Sequence, residues 1–246
     1  MNFTILRFDS VGSTNDEALC QARAGASEGL CIVAKKQTQG RGRHGRTWVS
    51  EKDSGLYFSV ILRPKIEARY ISLLTLMAGV AVHDTIRELG IDPDIKWVND
   101  ILVRDKKIAG ILAEAAETPS GVAVVVGIGI NVKVQFLSKD IASASTSLDA
   151  ESADRIVISD VENALVRLLG EFYGMFCEKD GPARILDEWR QRSSYFAGKN
   201  VRVTLENDVF TGVTDGLEPN GALRVVTEDG ELRIVHAGDV QRLRAE

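Results

Sequence analysis

The chain has 246 residues, 44% of them hydrophobic, with 35 acidic and 30 basic side chains for a formal net charge of −5. Such a composition builds a substantial core, and its acidic balance argues against non-specific binding to nucleic acid or to an anionic membrane. Three scattered cysteines without metal spacing, an N-terminus without a signal-peptide pattern and the lack of a long apolar run point to a soluble cytoplasmic protein.

Residues 3–8 alternate weakly and read as a strand. Ser13 or Thr14 caps a following helix, with Asp16 and Glu17 in its first turn and Gly25 suited to its end. Residues 30–34 form a strand that leads into Gln37-Thr38-Gln39-Gly40-Arg41-Gly42-Arg43-His44-Gly45-Arg46-Thr47-Trp48. Residues 56–62 are the next strand, ended by Pro64. The spacing of Leu73, Leu76, Met77, Val80 and Ile86 predicts a helix over 68–89, stopped by Gly90. Residues 95–98, 101–104, 107–114 and 122–132 read as successive strands, with a tight turn at Asp105-Lys106. Residues 136–154 read as a loop. Helices follow over 161–177 and 182–193, the second with Pro182 in its first turn. Beyond Gly198 the turn signals Asn207-Asp208, Pro219-Asn220-Gly221 and Glu228-Asp229-Gly230 come at short intervals. Roughly four or five short strands there suggest a small β-barrel. The expected fold is α+β: a mixed sheet with helices over 1–196, then a β-barrel domain over 197–246.

Four groups of residues carry candidate chemistry. In the first, three glycines and three arginines fall within Gly40 to Arg46 of an otherwise acidic chain. Glycine lets backbone approach a ligand, and arginine offers a planar fork of donors to phosphate or carboxylate, so the loop reads as an anion clamp. A solvated loop or an RNA-binding Arg-Gly segment is the plainer alternative. It is not the Gly-x-x-x-x-Gly-Lys-Ser/Thr phosphate loop, because no lysine follows its last glycine. The second group is Lys96-Trp97-Val98-Asn99-Asp100 with Lys107-Ile108-Ala109-Gly110-Ile111. A lysine after a tight turn can face a cleft and stabilise charge on a phosphoryl group, although an ordinary hairpin with a core Trp97 explains the pattern equally simply. In the third, Gly127-Ile128-Gly129-Ile130-Asn131, the glycines mark close approach of a ligand or of other chain, and Asn131 is a candidate oxygen ligand for phosphate-bound magnesium. The fourth, Ser13-Thr14-Asn15, binds a polar ligand group or simply caps the helix. His44, His83 and His236 make no metal or triad pattern, and no nucleophile motif is present.

Taken together and in this order, the four groups resemble the biotin protein ligase family, the biotin–acetyl-CoA-carboxylase ligases. The resemblance covers nearly the whole chain and implies that the C-terminal segment is an SH3-like β-barrel. It also implies a two-step reaction, in which biotin's carboxylate attacks the α-phosphate of ATP and a carrier-protein lysine then attacks the biotinyl-5′-AMP. Cofactors and substrates would be biotin, ATP and Mg2+. By resemblance, Ser13, Thr14, Asn15 and Gln37 bind the ureido end of biotin, and Arg41, Gly42, Arg43, Trp48 and Lys107 line the rest of its site. Gly40, Arg41, Arg43, Arg46, Lys107 and Asn131 hold ATP phosphates, with Asn131 also near magnesium. Lys107, Asp100 and Arg43 are the catalytic group, Asp100 orienting the incoming lysine. The partner is a biotin carboxyl carrier domain. A homodimer is left open, and neither DNA nor membrane is expected.

Two departures stand out. Val98 occupies a position usually held by proline, and a retained strand is expected there. Ser13 lies almost at the chain's start, so the helix-turn-helix repressor domain of some members is expected to be missing. A lipoate protein ligase, which shares the fold and the adenylate logic, is the nearest alternative. A nucleic-acid-binding module is the alternative of another class.

Overall fold

The computed structural model describes residues 1–133 and 143–242, and its main layer is a seven-stranded sheet. The strands are β1 (Thr4–Phe8), β2 (Leu30–Ala34), β3 (Gly55–Leu62), β4 (Asp94–Lys96), β5 (Asp100–Val103), β6 (Lys106–Thr118) and β7 (Gly121–Asn131), in the order β1-β2-β3-β7-β6-β5-β4. β1 and β2 pair in parallel, because helix α1 (Thr14–Arg23) carries the chain across between them. All other neighbours in this sheet are antiparallel.

The period of two along each strand builds two cores. In β7, Val124, Val126, Ile128 and Ile130 point to one face and join the large cluster formed with α2 (Leu73–Arg87), α4 (Ile158–Phe176) and α5 (Gly181–Gln191). Ala123 and Val125 point to the other face, where Ala18, Leu19 and Ala22 of α1 cover them with Ile32, Ile61 and Ala116. Gly127, Gly129 and Asn131 continue that second face past the apolar cover of α1, where Asn15 of its first turn lies against Gly127. The functional cleft occupies this uncovered half.

Arg192, just past α5, forks onto Asp84 of α2 with Nε–Oδ1 and Nη2–Oδ2 distances of 2.7 and 2.8 Å. Asp84 also contacts the buried His83 ring at 2.9 Å. Burial pushes the Asp84 carboxyl up, but the hydrogen bonds and charges of His83 and Arg192 outweigh it and hold it at about 2.

The last five strands form a second, antiparallel sheet: β8 (Ala197–Thr204), β9 (Val209–Leu217), β10 (Leu223–Thr227), β11 (Leu232–Val235) and β12 (Asp239–Arg242), in the order β11-β10-β9-β8-β12. Several contacts tie it to the first layer, among them two hydrogen bonds and the Arg242–Asp105 ion pair. Trp97 Nε1 donates to the Gly221 carbonyl at 2.9 Å, and Ser72 Oγ donates to Asn220 O at 2.7 Å.

Four local expectations are corrected. The helix expected over 68–89 begins at Leu73, and Ala68–Tyr70 forms a separate 3-10 turn, because the buried apolar face starts only at Leu73. The β5–β6 turn lies at Arg104-Asp105 rather than Asp105-Lys106. Those two residues have φ of 50° and 62°, the left-handed pair that a two-residue hairpin of matching twist requires. Val98 is not in a strand. Lys96 pairs with Asp100, so Trp97, Val98 and Asn99 form the connection between β4 and β5, and the Trp97–Val98 peptide bond is cis. Of the loop expected over 136–154, residues 136–142 lie outside the described residues, and Leu148–Glu151 makes a one-turn helix, α3.

Candidate active site

The cleft floor is made by alternate residues of β6 and β7. Gly110 of β6 lies directly opposite Gly129 of β7, and Leu112 lies opposite Gly127. Their missing side chains are filled by two groups from elsewhere in the chain. A Cβ on Gly129 would come within 2.5 Å of Trp48 Cε2, and one on Gly127 within 2.0 Å of Asn15 Oδ1. Both glycines thus serve close packing of the protein's own side chains. The Trp48 indole rests on the Gly110–Gly129 pair, with its Nε1 buried and without a hydrogen-bond partner among the described residues.

One end of the cleft is the start of α1. Ser13 caps that helix, accepting from Asp16 N at 3.4 Å. Thr14 Oγ1 and N both donate to Gln37 Oε1, at 3.1 and 2.8 Å, and Gln37 Nε2 donates to Ser50 Oγ at 2.8 Å. Ser59 is a hub beneath them, bonding Thr14 Oγ1 at 2.8 Å and Asn15 Oδ1 at 2.7 Å. Asn15 Nδ2 donates to Leu112 O at 3.1 Å and Glu114 Oε2 at 2.8 Å. A polar ligand group here meets a wall already fixed by its own hydrogen bonds.

The other end holds the charge. Lys107 Nζ lies 2.6 Å from Asp100 Oδ1 and 5.3 Å from the Trp48 ring centre. Lys96 Nζ stands 3.7 Å from the other Asp100 oxygen. A register shift between β5 and β6 brings Lys107 to this position. Asn131 Nδ2 donates to Thr146 O at 3.1 Å and reaches Lys107 O at 3.5 Å.

The glycine-arginine loop roofs the middle. Trp48 N donates to Gly40 O at 2.9 Å, closing the loop's stem, and Gly42 N donates to Arg46 O at 2.7 Å across its tip. The three arginines have different partners. Arg41 is held by Glu114 and by Asp16 of α1. Arg43 Nη1 donates to Asn99 Oδ1 at 3.1 Å. Burial lowers the Arg43 guanidinium from its usual range, against the opposing charges of Asp100 and Asp239. Arg46 Nη2 bonds Asp239 Oδ2 of the second sheet at 2.8 Å, which raises the Arg46 pKa. Burial alone would raise the Asp239 carboxyl, but the Arg46 hydrogen bond and the Lys96, Arg46 and Arg43 charges hold it below its ordinary value.

The cleft has a volume of about 240 Å³, and Ser13, Thr14, Asn15, Gln37, Arg41, Gly42, Arg43, Arg46, Trp48, Asp100, Lys107 and Asn131 all line it. Gly40 does not. A Cβ there would lie 2.3 Å from Trp48 O, so its smallness serves the stem of the loop rather than a phosphate. Glu114, Ser59 and Asp239 were not singled out by the sequence, which placed Asp16 only as a first-turn acid of α1 and Asn99 only within the group 96–100. Only Glu114 carried a usable signal: it falls at the strand period from Gly110 and so had to share the floor.

A cleft with a fixed polar wall at one end and a lysine and an arginine-bearing roof toward the other has the charge to suit an anionic ligand, and that is the class this architecture defines. The sequence pattern of the Biotin/lipoate A/B protein ligase family matches residues 8–131, and that of the Biotin protein ligase C terminal domain matches residues 196–243. The chain belongs to this family. The bifunctional ligase/repressor BirA of Bacillus spizizenii is 35% identical over 240 residues, covering 95% of this chain and 72% of that protein. The biotin–[acetyl-CoA-carboxylase] ligase of Mycobacterium tuberculosis is 34% identical over 242 residues, covering 95% and 86%. The biotin protein ligase of Aquifex aeolicus, solved with biotin and ATP, superposes with a TM-score of 0.84 at 28% identity over 98% of this chain and 99% of that one.

Proposed function

We propose that this cleft activates biotin with ATP and passes the biotinyl group to a carrier protein. The observation that carries the proposal is the placement of Lys107 beside Asp100 at one end of a glycine floor, roofed by the arginine loop. From Gly127, beside Asn15, to Asn131 is four strand residues, or roughly 13 Å of floor at about 3.3 Å each. A ring lodged at the Thr14–Gln37 wall would extend its acyl chain under Trp48 and bring its carboxylate to Lys107.

In the first step the biotin carboxylate attacks the α-phosphate of ATP. A carboxylate–phosphorus bond forms, the bond to the β-phosphate oxygen breaks, and pyrophosphate leaves. Lys107 and Arg43 balance the negative charge that two anions bring together. Arg46 faces the nucleotide's phosphates. In the second step a carrier lysine amine attacks the acyl carbon, its bond to the phosphate oxygen breaks, and AMP leaves. Asp100 receives the incoming ammonium and helps it lose its proton, since a free lysine is almost fully charged at neutral pH. The arginine roof and Trp48 keep water from the activated acyl group.

Among the described residues no cluster of acidic, histidine or cysteine side chains forms a metal site. Magnesium fits here as a companion of the nucleotide, held mainly by phosphate oxygens and water, with Asn131 as the neighbouring protein carboxamide. The partner is a biotin carrier domain. A division of the chain at Ala197, where the second sheet begins, a cytoplasmic location, and a protein that uses no DNA complete the reading. The described residues contain no helix long and apolar enough to cross a membrane.

The match to a biotin-ligase C-terminal domain favours biotin over lipoate. Arg41 and Arg46 are already paired with carboxylates, which speaks against the loop as a nucleic-acid binder. The test incubates the protein with magnesium-ATP, a biotin carrier domain and either biotin or lipoate. Mass gain of one biotinyl group on the carrier is expected with biotin alone. Gain with lipoate alone, or none with either, would overturn the reading.

A further inference from the structure

We propose that Glu114 is a positioning residue: its one carboxylate pins the leading stem of the glycine-arginine loop through Arg41 and sets the Asn15 carboxamide at the polar end of the cleft. The inference rests on the activity proposed above and assigns a duty to a residue that touches none of the reacting atoms.

Four contacts carry it. Arg41 Nη1 donates to Glu114 Oε1 at 3.0 Å and Nη2 to Oε2 at 2.8 Å, a two-pronged pair. Arg41 Nη2 also reaches Asp16 Oδ1 at 2.6 Å, on the first turn of α1. Asn15 Nδ2 donates to the same Glu114 Oε2 at 2.8 Å. One carboxylate on the cleft floor therefore joins the roof to the wall.

The three loop arginines are not equivalent as a result. Arg41 is matched by two carboxylates and has no net charge left for a phosphate. Arg46 is matched by one, Asp239. Arg43 meets only the neutral Asn99 among its hydrogen-bond partners in the described residues, so its charge remains available to an anion. The expected role of Arg41 at ATP phosphate is thereby replaced by a role in holding the loop. The stem is fixed at Gly40–Trp48 by a backbone bond and at Arg41 by Glu114, leaving Gly42 to Arg46 as the part that adjusts over ligand. Without the pin, the whole roof loosens and a bound acyl-adenylate escapes.

The test separates the two duties of Glu114. Glu114→Gln keeps a carbonyl oxygen for Asn15 but removes the charge that holds Arg41; Glu114→Ala removes both. The adenylate is formed with labelled biotin and magnesium-ATP in the absence of carrier, free ligand is removed, and loss of protein-bound label is followed. Glu114→Gln should release the adenylate about tenfold faster, the scale of one lost charge-assisted contact, with biotin affinity within about threefold of the parent. Glu114→Ala should weaken biotin binding as well. Arg41→Ala should match Glu114→Gln, and the double variant should be no worse than either single one. Glu114→Asp, which keeps the charge, should recover part of the retention. A merely structural role would lower thermal stability and slow every step alike. Parental retention by Glu114→Gln, or additive effects in the double variant, would overturn the inference while leaving the proposed activity intact. Failure of the parent to form adenylate would instead sink the activity, and the inference with it.

Discussion

Gly129→Ala tests whether the cleft floor must be flat. The added methyl would stand 2.5 Å from Trp48 Cε2, 2.6 Å from Nε1 and 2.7 Å from Cζ2. Ordinary contact needs about 3.5 Å, so the indole must retreat by roughly 1 Å. Its backbone cannot follow, because Trp48 N is bonded to Gly40 and Trp48 O to Ser50 Oγ. The ring must therefore lift into the space meant for the ligand. Overpacking of this kind costs about 1–3 kcal/mol, and the low end applies because Trp48 borders an open cleft rather than the core. A 1 Å misplacement next to reacting groups can cost about 10²-fold in rate. The variant should thus keep a melting transition near that of the parent, yet lose about 10²-fold in biotin-dependent ATP–pyrophosphate exchange. Combining it with Trp48→Phe, which shrinks the ring, should recover part of the loss. Full exchange activity in a folded Gly129→Ala protein would refute the assignment of Trp48 to the ligand.

Lys107→Ala should lose about 10²–10³-fold in pyrophosphate exchange while its circular dichroism is unchanged, and undiminished exchange would remove Lys107 from the first step. Asp100→Ala should leave exchange largely intact but slow transfer to the carrier, since it also frees Lys107 from its ion pair; equal loss in both half-reactions would contradict the acceptor role. Asp84→Asn probes the fold alone. The lowered Asp84 carboxyl contributes stability that is complete above its unfolded value of about 4 and is lost as the pH falls through about 2. The gap corresponds to roughly 2 kcal/mol. Unfolding free energies from urea titrations should therefore differ by that much near neutrality and converge toward pH 2; a constant difference across that range would show that the contacts with His83 and Arg192 are not the source.

Much of the fold was legible because hydrophobic period is a local property. The apolar, strand-like stretch 122–132 located β7, and the helical spacing from Leu73 located α2. Boundaries failed where long-range contact decides them. The connection at Trp97 to Asn99 is set by the pairing of Lys96 with Asp100 and by the anchoring of Trp97 on Gly221, 124 residues away. The cleft shows the same division. Its arginines and lysine announced themselves by type and spacing, whereas Glu114 and Asp239, the acids that hold Arg41 and Arg46, did not. Asp239 lies 193 residues from Arg46 in the chain, and Glu114 lies 73 from Arg41. Sheet order and register bring these groups together, and neither can be read from a window of sequence.

The partners matter because an arginine-rich loop alone does not specify a site. The same three arginines, exposed and unpaired, would make an indiscriminate anion binder. Here β6 supplies an acid for the first, the β4–β5 connection an amide for the second, and the C-terminal sheet an acid for the third. Charge is left available in the middle of the roof, above the floor that Gly110 and Gly129 keep clear for Trp48. In the proposed reaction Lys107, paired with Asp100, completes the anion site from the floor's end. A carboxylate and a phosphate entering together can draw Lys107 from Asp100, and that exchange leaves Asp100 ready for a second ammonium. The order of the two half-reactions is thus consistent with a single ion pair 2.6 Å long at the end of the cleft.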